Sequence, residues 1–309
     1  MQQHRSKLPY ILIAIVLLGV LLGVILTIKT NKRVATNQAI QVVAGENFWG
    51  SLVSQLGGTK VHVISIISGS NLDPHEYESN TATARAFANA DYVILNGAGY
   101  DSWGDKLLSA NPSTHRRVLN VAAFLGKKPG DNPHFWYSPA YVNAVVGRME
   151  QDLIAERPTD APYFRQRLQT LDASLATYQN RITAIKQRFA GTKVAATENV
   201  FQYLADAAGL DLISPKPFIQ AIAEGDNPPA SSVATFQQQL KDGQAKLLVY
   251  NKQTVTPLTM HMKLLAEENK MPVIGMTETI QPSNATFQNW MNAELVNLEN
   301  SLNSQISGK

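Results

Sequence analysis

The sequence contains no cysteine. That absence excludes a disulfide framework, a thiolate metal site and a lipid-modified cysteine. No His-Glu-x-x-His run occurs, so the helical pattern of zinc hydrolases is missing. Charged residues make up only 17% of the chain, and the formal balance of +3 is misleading. Arg5, Lys7, Lys29, Lys32 and Arg33 all fall in a leading segment that carries no acid. Removing those five from the 27 basic residues leaves 22 against 24 acidic ones. The remainder lacks the clustered basic surface that a nucleic-acid partner requires, and none is expected.

What is present is a chain of 309 residues, 44% of them apolar. That is enough to bury a large core and more in keeping with two domains than one. From Leu8 to Ile28 the chain is almost wholly apolar and uncharged. Roughly 20 such residues suffice to span a membrane, more than the ~7–15 of a signal-peptide core. Val34-Ala35-Thr36 is a poor cleavage site. Residues 1–38 therefore read as an uncleaved membrane anchor (a signal-anchor) and a polar tether, with a cleaved signal as the alternative. Basic residues flank both ends of the run, so the positive-inside count does not orient it.

The rest alternates between strand and helix patterns. Ile40–Ala44, Val61–Ile67, Tyr92–Leu95 and Arg117–Val121 read as strands, with helical periodicity from Phe48 to Leu56 and from Thr83 to Ala90. A helix capped by Ser138 and opened by Pro139 ends before Pro158. Phe164, Leu168, Leu171, Leu175, Tyr178, Ile182, Ile185 and Phe189 then recur at alternating spacings of four and three. They form one apolar stripe on a helix from about Pro162 to Ala190, stopped by Gly191 and roughly 43 Å long. Lys193–Ala196, Leu210–Ile213, Leu247–Tyr250 and Val273–Met276 resume the strands. Helices are expected over Phe201–Ala208, from a Ser231 cap to Leu240, and from about Met260 to Leu265. A closing helix carries Phe287, Trp290, Met291, Leu295, Leu298 and Leu302 on one face. The expected fold is α/β: two halves, each a parallel sheet flanked by helices, joined by one long helix.

Four stretches end up just beyond apolar strand-like runs: Asp73-Pro74-His75-Glu76-Tyr77-Glu78, Asn132-Pro133-His134-Phe135-Trp136, Thr197-Glu198-Asn199 and Thr277-Glu278-Thr279. Loops at the carboxyl ends of parallel strands gather into one crevice. Each of the two histidines follows a proline and precedes an aromatic residue within two positions. Two imidazoles and two carboxylates can hold one divalent metal ion in four- to six-fold coordination. Taken singly, His75 and His134 could be hydrogen-bonded loop residues, and Glu198 and Glu278 could simply favour the positive ends of following helices. His4, His62, His115 and His261 lack comparable surroundings and read as structural or surface groups.

Those stretches, with Asn96-Gly97-Ala98-Gly99, Ser138-Pro139 and the aromatic-rich closing helix, resemble in order the zinc/manganese-binding solute receptors of ABC transporters (cluster A-I). The resemblance spans about residues 39–305. It implies lobes at 39–157 and 192–309, bridged by a rigid helix within 158–191, with one ion between them held by a pair of ligands from each lobe. His75 and His134 match the family's first two ligands. Glu198 falls where zinc receptors often have histidine and manganese receptors glutamate, and Glu278 where most members place aspartate. The family's lipid-bearing cysteine is absent, as is the histidine-rich loop common in its zinc members.

The resemblance implies an extracytoplasmic, monomeric receptor that captures Mn2+ or Zn2+ as cargo and delivers it to a permease with its cytoplasmic ATPase. It implies no enzyme activity and no catalytic cofactor. The two-imidazole, two-carboxylate donor set is harder than a three-imidazole one and favours manganese or iron relative to zinc, manganese being the expected cargo, although zinc binds more tightly than manganese in equilibrium competition. The rival expectations are an extracellular adhesin or scaffold with a structural metal, and a metal-dependent hydrolase using Glu76 or Glu78 as general base.

Overall fold

Short β-branched and apolar runs, each closed by a helix-opening or turn residue, pair side by side into two sheets. In the computed structural model, which describes residues 38–69 and 77–307, the first sheet holds β1 (Ile40–Glu46), β2 (Val61–Ile67), β3 (Tyr92–Leu95) and β4 (Arg117–Asn120). The second holds β5 (Lys193–Ala196), β6 (Asp211–Leu212), β7 (Leu248–Asn251) and β8 (Val273–Met276). All pairings are parallel, in the orders β2-β1-β3-β4 and β6-β5-β7-β8. Both orders reverse direction after the second strand in sequence, and such a switch opens a crevice at the strands' carboxyl ends. His75 and the apolar run Leu8–Ile28 lie outside the described residues. Among the described residues no helix is long and apolar enough to cross a membrane.

The long helix runs from Ala161 to Phe189, and Phe164, Leu171, Leu175, Tyr178, Ile182, Ile185 and Phe189 of the expected stripe are buried on it. Leu168 is partly buried against the same core. The closing helix, Phe287–Ser307, packs along it and buries all six of its expected apolar residues. Arg181 and Arg188 reinforce the contact through Glu299, at 2.7 and 2.8 Å. One hydrophobic cluster extends from Ile40 in β1 to Leu302, and residues Ala39–Lys309 form one compact unit.

Several local expectations are corrected. The helix assigned a Ser231 cap spans Ala230–Lys241, because the Pro229 carbonyl, two residues earlier, accepts from the N–H groups of Ser232 and Val233. Thr256 caps the helix Pro257–Glu268, three residues before the expected start, through a reciprocal pair of bonds with Thr259. Helices Ser102–Ala110 and Lys216–Ala223 were not anticipated. Both are short, and a narrow apolar face over about two turns is a weak periodic signal. The strand expected over Leu210–Ile213 shortens to Asp211–Leu212 at the sheet's edge.

Candidate metal centre

The turn after β3 shows why the glycine-rich stretch is needed. Gly97, Ala98 and Gly99 have φ of 77°, 55° and 92°. A Cβ on Gly97 would sit 2.2 Å from Asn120 Oδ1, so both conformation and space demand glycine there. The Asp101 carboxylate closes the turn by accepting the N–H groups of Asn96 and Gly97 at 2.6 and 2.8 Å. Asn96 then donates to the Pro133 carbonyl at 2.9 Å and so holds the loop that presents His134.

His134 is fully buried. Asn132 fixes its tautomer: the Asn132 amide nitrogen donates to the Asn199 carbonyl at 2.8 Å, which turns Oδ1 toward the ring. That oxygen lies 2.8 Å from His134 Nδ1 and accepts its proton, so Nε2 presents a lone pair inward. Nε2 lies 3.3 Å from Glu198 Oε1 and 3.6 Å from Glu278 Oε2. One donor atom from each of His134, Glu198 and Glu278 lies within 4.8 Å of the others, and all three side chains are buried. The glutamates are thus not surface helix caps. His62, His115 and His261 are exposed and stand apart from this group, as expected.

The second sheet's topology delivers the two carboxylates. β7 lies between β5 and β8, so the loops that follow those flanking strands, carrying Glu198 and Glu278, straddle the end of the central one. Its last residue is Asn251, 1% exposed, whose amide nitrogen donates to Glu198 Oε2 and, at 2.7 Å, to Glu278 Oε1. Thr254 Oγ1 donates to the same Glu278 oxygen at 3.1 Å. From the other sheet, Tyr100 donates to Glu278 Oε2 at 2.7 Å. Gln253 Oε1 accepts the backbone N–H groups of Glu278 and Thr279 at 2.7 and 2.9 Å, fixing that loop.

The positioning roles of Asn132, Tyr100 and Asn251 escaped the sequence reading, although Asn132 stands in one of the four stretches it picked out. Asn251 had one usable signal: it is a polar residue directly at the end of a buried apolar strand, the placement that singled out the glutamates. Nearby acids respond to burial. Desolvation, reinforced by the Asp101 charge, pushes Glu46 at the end of β1 well above the usual carboxyl range. Burial raises Asp101 to about 6 against the lowering effect of its two backbone hydrogen bonds. Burial likewise raises Glu294, which accepts from Thr277 and Trp290, to about 7.

A neutral imidazole nitrogen and two carboxylate oxygens, converging in a buried crevice, suit a divalent transition-metal ion. The desolvation cost of two adjacent carboxylates is offset by such a cation. The profile of the ZnuA family, described as the periplasmic component A of a zinc-uptake complex, matches residues 42–301. The chain belongs to this family. ZnuA-family proteins are binding components of transport systems, not enzymes, and their metal is cargo. The manganese ABC transporter substrate-binding lipoprotein PsaA of Streptococcus mitis is 22% identical over 87% of this chain and 90% of its own length. The manganese-binding lipoprotein MntA of Halalkalibacterium halodurans is 23% identical over 57% of the chain and 60% of its length, so that match spans less than two thirds of the relative. The solute-binding protein FpvC of Pseudomonas aeruginosa, solved with Mn2+, has the same fold as this chain at a TM-score of 0.72 and 17% identity, over 86% of this chain and 99% of FpvC.

Proposed function

We propose that the chain is an extracytoplasmic receptor that captures one divalent metal ion, Mn2+ or Zn2+, and hands it to an ABC permease coupled to a cytoplasmic ATPase. The ion is held by His75, His134, Glu198 and Glu278, with residues 39–157 and 192–309 acting as the two lobes around it and the helix within 158–191 as their connection. The observation that carries this reading is the convergence of His134 Nε2, Glu198 Oε1 and Glu278 Oε2 from both sheets on one buried point. The relatives named above supply the transport context: PsaA and MntA are named for manganese and as lipoproteins. With no cysteine to carry a lipid, the run Leu8–Ile28 holds this receptor at the membrane, and the protein works as a monomer.

Capture needs a deprotonated imidazole and ionised carboxylates, so binding releases protons and weakens as the pH falls through the histidine range near ~6.5. Purification without added metal, followed by calorimetric titration with each ion, tests the proposal. One equivalent of Mn2+ or Zn2+ binding well below about 1 μM supports it; neither ion binding that tightly overturns it.

A further inference from the structure

Two neighbouring residues at the start of the helix Asn47–Gly57 reach the two loops that carry His134 and Glu278. The helix begins without a side-chain cap, and the amide of its first residue, Asn47, turns instead to the far half of the molecule. Its Nδ2 donates to the Ile280 carbonyl at 3.3 Å, and its Oδ1 accepts the Ile280 N–H at 3.0 Å. One side chain, 6% exposed, thus holds both backbone groups of Ile280, and a reversed amide would lose both bonds. Ile280 stands two residues beyond Glu278, and Tyr137 grips the other flank by donating to the Thr277 carbonyl at 2.6 Å. Phe48, next to Asn47, is fully buried and stacks on Trp136 with ring centroids 3.9 Å apart. Trp136 in turn meets the His134 ring edge to face, centroids 5.1 Å apart.

We infer that this first helical turn is the spacer that sets the distance between His134 and Glu278 across the two halves, and that Asn47 is the positioning residue through which it acts on Glu278. This rests on the receptor reading above. Gln253 fixes the Glu278 backbone, but both belong to the second half. His134 stands on a loop of the first, so that link leaves the 3.6 Å gap between His134 Nε2 and Glu278 Oε2 unset. Tyr100 does cross the halves, yet it holds the carboxylate itself, which the backbone must first bring within reach. The path Ile280–Asn47–Phe48–Trp136–His134 joins the two loops through buried hydrogen bonds and packed rings. Donors of a metal site need to be held to within about 0.5 Å, by residues whose own positions are locked by packing and hydrogen bonds. Asn47 supplies that lock without touching the ion.

The test is a double-mutant cycle on the full chain in detergent, read as Zn2+ affinity by titration. Asn47→Ala is expected to lose about 10-fold or more, within the range for groups that orient a metal ligand. In a Glu278→Ala background the same substitution is expected to cost less than about 2-fold, because a residue that acts through another is not additive with it. In a Glu198→Ala background it keeps its full cost. A side chain that only supports the fold would lower the metal-free Tm while leaving Zn2+ affinity at the wild-type value, or would lower affinity equally in all three backgrounds. Either result overturns the inference and leaves the receptor reading intact. Asn47→Ser suits a helix start but is too short to pair with both groups of Ile280; it serves where Asn47→Ala does not fold, read by the same cycle and the same criteria. A wild type that binds neither Zn2+ nor Mn2+ removes both readings.

Discussion

The Nε2 of His134, on a loop of the first sheet, lies 3.3 Å from Oε1 of Glu198, on a loop of the second. Neither sheet forms the centre alone, and the contacts that position these two residues also cross between the halves. Asn132, which orients the imidazole, donates to the Asn199 carbonyl, and Tyr203 donates back to the Asn132 carbonyl at 2.9 Å. The residues on either side of Asn132–His134 and Glu198–Asn199 are thereby tied as one unit. Any shift between the halves changes the spacing of the donors.

Replacing Asn132 with alanine removes the acceptor that keeps the proton on His134 Nδ1. Both tautomers then become available, and the hydrogen bond that holds the ring in place is lost. Metal affinity is expected to fall by about 10- to 100-fold. Isothermal titration of Asn132→Ala against wild type, with circular dichroism to verify the fold, measures it; unchanged affinity would refute the orienting role.

Cargo binding stabilises the folded state by mass action. At a free ion concentration of about 1,000 times Kd the gain is about 4 kcal/mol, which corresponds to a rise in Tm of about 10 °C for a unit of this size. Differential scanning calorimetry with and without metal, followed by chelator, should show the rise and its reversal. A Tm indifferent to both ions would contradict folding-coupled binding.

Glu294 gives the metal-free protein a specific pH dependence. Its carboxyl is raised by burial to about 7 from an ordinary value of 4.5, so the folded state holds a proton that the unfolded state releases. Its contribution is most favourable below about pH 4.5 and is lost as the pH rises toward 7, at a cost of about 3 kcal/mol above that range. Glu294→Gln retains an acceptor for Thr277 and Trp290 and removes this term. Denaturation midpoints at pH 5 and pH 8 should therefore differ less in the variant than in the wild type, with the variant the more stable at pH 8.

Gly97→Ala places a side chain at φ of 77° and against Asn120 Oδ1. The left-handed backbone costs about 1–2 kcal/mol, and the clash adds to it. Urea unfolding should show a loss of about 2 kcal/mol or more. Because Asn96 in the same turn holds the His134 loop, the variant should also bind metal more weakly. Gly99→Ala, with open space around its Cβ, should cost less.

Much of this architecture was legible from residue pattern. The stripe from Phe164 to Phe189 announced the long helix because eight apolar residues kept one face over about seven turns. His134, Glu198 and Glu278 were visible because each follows an apolar run at the carboxyl end of a strand, where parallel sheets gather their loops. What escaped was set by tertiary neighbours. Asn251 matters because strand order puts β7 between β5 and β8, and no local spacing encodes that order. Tyr100 sits in a recognised glycine-rich turn, yet its partner Glu278 belongs to the other sheet. The start of the helix at Ala230 was missed because a proline carbonyl, which any residue could supply, replaced the expected serine cap.

The most direct test is anomalous diffraction at the zinc and manganese edges from crystals of the metal-loaded protein. A single strong peak bounded by His134 Nε2, Glu198 Oε1, Glu278 Oε2 and the imidazole of His75 is the expected result. A peak elsewhere, or none in the crevice between the two sheets, would contradict the assignment of these four side chains to a captured ion.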